Sequence, residues 1–175
     1  MRYRTVVMLS LFVIATSACS RSPQSSAQVA PAKVPVGAVQ VPKALAAISL
    51  PLMVVTKNVT CGCCKAWVER MREAGFRVEV HDVDNLDPIK TRVGVPAGKG
   101  ACHTAEVGGY FVEGHVPAAD IKRLLAEKPA AKGLVLPGMP MGSPGMELPD
   151  GTTQPYTVEL VENDGHTEVF ARHDQ

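Results

Sequence analysis

Leu50-Pro51-Leu52-Met53-Val54-Val55-Thr56-Lys57 runs through Asn58 and Val59 into Thr60-Cys61-Gly62-Cys63-Cys64. The apolar run around Met53, Val54 and Val55 has the pattern of a buried strand. From Lys65 to Ala74, apolar Trp67, Val68 and Met71 recur at helical spacing, and Gly75 supplies a stop. Cys61 and Cys64 therefore fall at a strand-to-helix junction. The free N–H groups and positive potential of a helix start stabilise a thiolate there. A spacing of three puts both sulfurs on one helix face, able to share a disulfide or a metal ion. Cys63 adds a third thiol to the same turn. Competing disulfides serve two-electron exchange poorly, whereas clustered thiolates suit soft ions such as Cu(I) and zinc.

Downstream, Phe76–Val80 alternates apolar and charged residues and predicts a strand. Asp87–Val93 predicts a short helix with Pro88 in its first turn. Gly94–Cys102 reads as a Gly/Pro-rich loop. Thr104–Val107 and Tyr110–Glu113 flank Gly108-Gly109, a strong hairpin signal. Pro117 opens a helix to Lys128, with Ile121, Leu124 and Leu125 on one face. Lys132–Gly151 reads as a long Pro/Gly/Met loop. Thr157–Val161 and Thr167–Phe170 predict a closing hairpin around Asn163-Asp164-Gly165. The order β-α-β-(α)-β-β-α predicts a thioredoxin-like α/β fold. A central sheet with flanking helices would carry the Met/Pro/Gly-rich loop and the C-terminal β-hairpin as additions.

In such a fold, the loop before the first hairpin strand lies beside the C-x-x-C turn. Cys102 and His103 occupy that loop. The expected metal site is therefore Cys61, Cys63, Cys64, Cys102 and His103, enough for several copper ions sharing bridging sulfurs. A structural disulfide network is the competing reading, since four cysteines allow three pairings. A bridge between the vicinal Cys63 and Cys64 would be strained. Met139, Met141 and Met146 add thioethers that bind Cu(I), or else plug an irregular loop onto the core. His115, just ahead of a helix, reads first as a structural hydrogen-bonder and second as a ligand. No catalytic residue is assigned, except Cys61 and Cys64 if the chemistry is thiol exchange.

Upstream, Arg2 and Arg4 precede the apolar run Thr5–Ala15, and Thr16, Ser17 and Ala18 lead to Cys19. Residues 1–18 read as a secretory signal, too short to span a bilayer. Cys19 after small residues resembles a lipoprotein box, with Thr16 where Leu is preferred, and is the expected lipidation site. Residues 19–48, with Pro23, Pro31, Pro35 and Pro42, read as a lipid-anchored tether. The folded domain is then 49–175, in an oxidising periplasm.

The whole chain has 175 residues, 46% apolar and 20% charged, which excludes global disorder. Its formal charge of +1 excludes a strongly basic nucleic-acid binder, and no nucleic-acid partner is expected. The domain itself carries 13 basic and 17 acidic residues, a formal charge of −4. Of the five cysteines, Cys19 is set apart and four remain in the domain.

Cys61-Gly62-Cys63-Cys64-Lys65, Asp84-Asn85, Gly94-Val95-Pro96, Cys102-His103-Thr104, Glu113-Gly114-His115-Val116-Pro117, Pro137-Gly138-Met139-Pro140 and Gly142-Ser143-Pro144-Gly145-Met146-Glu147 occur in this order. Together they resemble the CopG-like family of periplasmic copper-resistance proteins, over about residues 52–147. The resemblance implies a thioredoxin-like fold, copper binding through the cysteine turn and Cys102, and a role in copper tolerance. It further implies redox handling of copper, and suggests other periplasmic copper-resistance proteins as partners. Two other functions compete. One is a thiol–disulfide oxidoreductase or isomerase using the C-x-x-C. The other is a non-enzymatic copper chaperone, because Val59-Thr60-Cys61-Gly62-Cys63-Cys64 is similar to the Met-Thr-Cys-x-x-Cys loop of small ferredoxin-like chaperones. For that chaperone, Cys102 would lie remote from the turn.

Overall fold

Strand β1 (Met53–Asn58) buries alternate residues, so Met53 and Val55 point into the core as the period of two requires. The computed structural model describes residues 49–174. The expected signal segment, the lipid site Cys19 and the tether lie outside the described residues. After β1 come α1 (Gly62–Glu73), β2 (Val78–Val83), α2 (Asp87–Val93), β3 (His103–Val107) and β4 (Tyr110–Glu113). Helix α3 (Ala118–Glu127) and strands β5 (Ala131–Val135), β6 (Tyr156–Glu162) and β7 (Thr167–His173) follow. The seven strands form one sheet in the order β2-β1-β3-β4-β5-β6-β7. β1 is parallel to β2 and antiparallel to β3, and β3 and β4 form the hairpin across Gly108-Gly109. Among the described residues, no helix is long and apolar enough to cross a membrane.

Helix α1 starts at Gly62, three residues before the expected Lys65, so the cysteine turn is its first turn. Cys64, Trp67, Val68 and Met71 form its buried stripe at i, i+3, i+4 and i+7. A cysteine thus serves as the first apolar position of the stripe. Phe76, expected in a strand, instead closes the helix: its N–H donates to the Met71 carbonyl across Gly75, and its ring joins the core. β2 therefore starts two residues later, at Val78.

The other correction concerns Lys132–Gly151. Its first residues are not loop but most of β5, parallel to β4 and antiparallel to β6. Leu134, Val135 and Leu136 are buried there, and Pro137 ends the apolar run. Gly133 disguised the strand, yet the packing demands it. A Cβ at Gly133 would lie 2.0 Å from the Phe111 carbonyl oxygen, so β4 and β5 close only over a glycine. The expected C-terminal hairpin is present as β6 and β7, and extends the sheet. It is tied to α3 by the Asp120–His173 pair at 2.7 Å and by Arg123 stacked 3.7 Å over the Phe170 ring.

Gly133→Ala is expected to destabilise the protein by about 1–3 kcal/mol, the usual range for overpacking. A denaturant midpoint equal to that of the unsubstituted protein would contradict the tight β4–β5 approach.

Candidate metal centre

Asn58 ends β1 and shapes the turn that follows. Its Oδ1 accepts from the Thr60 N–H at 3.0 Å and the Thr60 hydroxyl at 2.7 Å. Its carbonyl accepts from the Cys61 N–H, and its own N–H donates to the Cys102 carbonyl at 3.4 Å. One residue thus joins the cysteine turn to the loop before β3. Cys61 is the N-cap of α1, its sulfur accepting from the Cys64 N–H at 3.3 Å.

Cys64 is fully buried, and its Sγ lies 3.0 Å from Cys102 Sγ. Cys61 Sγ lies 3.5 Å from Cys63 Sγ. The ligand atoms of Cys61, Cys63, Cys64 and Cys102 all fall within 4.8 Å of one another. The expected convergence of four cysteines is found, and the remote Cys102 that a small chaperone would have is not. Cys61 and Cys64 are joined as a disulfide, leaving Cys63 and Cys102 as thiols. All four sulfurs can bind metal only after that bridge is reduced by two electrons and two protons. Burial, then the neighbouring Cys63, pushes the Cys102 thiol up to about 11. A bound cation would reverse this preference for the protonated form.

His103 opens β3 and is completely buried, with its ring 4.4 Å from the Trp67 ring. Neither ring nitrogen has a hydrogen-bond partner among the described residues. Buried polar atoms are almost always paired, so an orphaned imidazole beside a thiol cluster has the donor chemistry of a metal ligand. Burial, then the nearby His115, lowers its pKa to about 3. His115 is also buried, and burial likewise lowers its pKa. Its Nδ1 bonds the Pro144 carbonyl at 2.8 Å, which leaves Nε2 facing Cys102 Sγ at 4.0 Å. A backbone bond on one ring nitrogen orients the other toward a metal in many protein sites. Cys102, His103 and His115 form a second convergent set that shares Cys102 with the first. The bond to Pro144 agrees with the first reading of His115, as a structural hydrogen-bonder.

Of the three methionines, Met139 reaches the cysteines, its Sδ 3.8 Å from Cys63 Sγ. It is 52% exposed and Met141 is 37% exposed, so neither plugs the core. Met141 and Met146 take part in the hydrogen bonding of their loop through their backbones. Gly145, at φ +83°, lets this loop touch the helix start. A Cβ there would meet the Trp67 nitrogen at 2.6 Å and the Cys63 carbonyl oxygen at 2.9 Å. The Arg70–Glu147 ion pair at 2.8 Å adds a second tie to α1.

Two solved structures, named "Copper resistance protein copG", Form 1 and Form 2, are 42% and 41% identical to this chain. Each comparison covers 71% of this chain and 99% of that one, with a TM-score of 0.67. The chain belongs to the CopG-like family. A family described as "Protein of unknown function, DUF411" matches residues 99–146. That span holds Cys102, His103, His115 and the methionine loop, but not the cysteine turn. No curated protein matches the chain. The mixed α/β architecture is that of the CopG structures.

Two outcomes are expected from this geometry. Gly145→Ala should displace the methionine loop and quench the contact between Met139 and Cys63, seen as faster alkylation of Cys63 by a bulky maleimide. An unchanged rate would show that the loop does not lean on the helix start. In the metal-free protein, folding holds His103 neutral while the unfolded chain takes up a proton near 6.5. Its folded pKa is depressed, so this stability is complete above about pH 6.5 and falls with pH. The slope approaches ~1.4 kcal/mol per pH unit for this one proton. Denaturant titrations between pH 6.5 and about 5, above the carboxylate range, measure that slope. A flat profile would contradict the buried neutral imidazole.

Proposed function

We propose that this protein is an extracytoplasmic copper-binding protein of copper resistance, holding Cu(I) on Cys61, Cys63, Cys64 and Cys102. The single observation that carries the reading is the convergence of four sulfurs within 4.8 Å around a helix start. Thiolates select soft ions, and several sulfurs at this spacing can bridge more than one Cu(I). The names of the two related structures point to copper rather than zinc. His103 completes the donor set, with His115 and Met139 at its margin. On this reading residues 1–18 direct export, Cys19 carries a lipid, and residues 19–48 tether a thioredoxin-like domain, 49–175, to the membrane. Copper ions are the cargo, and other periplasmic copper-resistance proteins are its exchange partners. Exchange with an external disulfide, which leaves as two thiols carrying the two electrons and two protons, would close the Cys61–Cys64 bridge and withdraw two sulfurs from copper.

One observation favours a second reading, thiol–disulfide exchange. The Cys61–Cys64 bridge sits at a helix N-terminus with Cys61 more exposed than Cys64. An insulin-reduction assay separates the two readings. Strong activity that needs Cys61 and Cys64 but survives Cys63→Ala and Cys102→Ala would favour exchange.

The copper reading predicts that the fully reduced protein takes up more than one Cu(I) under anaerobic titration, followed by native mass spectrometry. The disulfide form should bind fewer ions, having lost two thiols. Replacing Cys61, Cys63, Cys64 and Cys102 together by Ala should abolish uptake. Undiminished copper in that variant would refute the assignment.

A further inference from the structure

Glu113 lies outside the proposed donor set, yet it is the one fully buried carboxylate among the described residues. It ends β4, directly opposite Thr104 in the antiparallel register. One carboxylate oxygen, Oε1, accepts from the Lys90 ammonium of α2 and from the Ala101 N–H. The other, Oε2, accepts from the Thr104 hydroxyl at 2.6 Å. Lys90 closes the group by donating to the same hydroxyl at 3.1 Å.

The sequence positions of these partners matter. Ala101 immediately precedes Cys102, and Thr104 immediately follows His103. The carboxylate therefore grips the chain on both sides of the Cys102-His103 pair. Two residues beyond Glu113 on its own strand end is His115. Through its carbonyl, which accepts from Leu136 N–H at 2.9 Å, Glu113 also fixes where the chain turns toward that histidine. A buried ion pair is weak evidence for stability in itself, because desolvation offsets most of the attraction. Its presence here calls for a geometric explanation. The Ala101 N–H has no strand partner, and a charged acceptor gives it a stronger and more directional bond than a neutral one.

We infer that Glu113 is a positioning residue that clamps Ala101 and Thr104 and so aims Cys102 and His103 at the cysteine turn. Lys90 is its countercharge. The inference rests on the copper reading for its consequence, but its geometry stands on its own hydrogen bonds. Residues that orient metal ligands in this way are worth about 10–100-fold in metal affinity.

The test compares full-length wild type, Glu113→Ala, Lys90→Met/Glu113→Gln and Lys90→Met/Glu113→Ala. The Gln double variant removes both buried charges while keeping an acceptor for Ala101. Two readouts are taken on protein whose cooperative unfolding shows it folded. The first is amide hydrogen exchange at Ala101 without metal. It is expected to speed up about tenfold or more in both Ala variants and to stay near wild type in the Gln double variant. The second is Cu(I) affinity with the thiolate-to-copper absorption band. Both Ala variants should lose about 10–100-fold in affinity and shift the band, and the Gln double variant should recover both. Wild-type exchange at Ala101 in folded Glu113→Ala would overturn the clamp. So would a Gln double variant that behaves like the Ala double variant, since charge pairing alone would then explain the effect. If wild type binds no Cu(I), the copper reading fails, while the exchange measurement still decides the clamp.

Discussion

The sulfur of Cys64 is sealed between the first turn of α1 and the chain entering β3, 3.0 Å from the sulfur of Cys102. This contact has two sides that the sequence separates by 38 residues. On one side, the buried stripe of α1 drives Cys64 inward together with Trp67, Val68 and Met71. On the other, the β1–β3 pairing brings His103 opposite Lys57, so Cys102 arrives at the end of β1. Neither side alone makes a site. Burial of the Trp67 face and formation of the β1–β3 ladder must both occur before the four sulfurs meet.

The same packing dictates the local electrostatics. Burial resists thiolate formation at Cys102, whose thiol is held up at about 11. His103 is kept neutral by the same exclusion of water. A cation placed among these groups would relieve both penalties at once: it stabilises the thiolate and uses the imidazole lone pair. The site is thus poorly solvated and incompletely bonded without a cation, which is the physical sense in which it suits one.

Much of this was legible in the residues. The strand-turn-helix of Leu50–Ala74, the Gly108-Gly109 hairpin and the proximity of Cys102 to the cysteine turn all follow from local patterning plus strand order. What escaped detection depended on contacts across the fold. Gly133 hid β5, because its role is to let Phe111 approach and not to mark a turn. A cysteine in an apolar helix position hides the true start of α1 at Gly62, three residues before Lys65. The partner that His115 bonds, the Pro144 carbonyl 29 residues away, cannot be named from local pattern. Glu113 carried no signal at all, since its partners come from α2, the 101 loop and β3.

Whether the four sulfurs form one copper-thiolate site is read from X-ray absorption at the copper edge of the reduced, Cu(I)-loaded protein. A single site gives a first shell dominated by sulfur with copper–copper scattering beyond it, as bridging thiolates require. A first shell of nitrogen and oxygen without sulfur would contradict it.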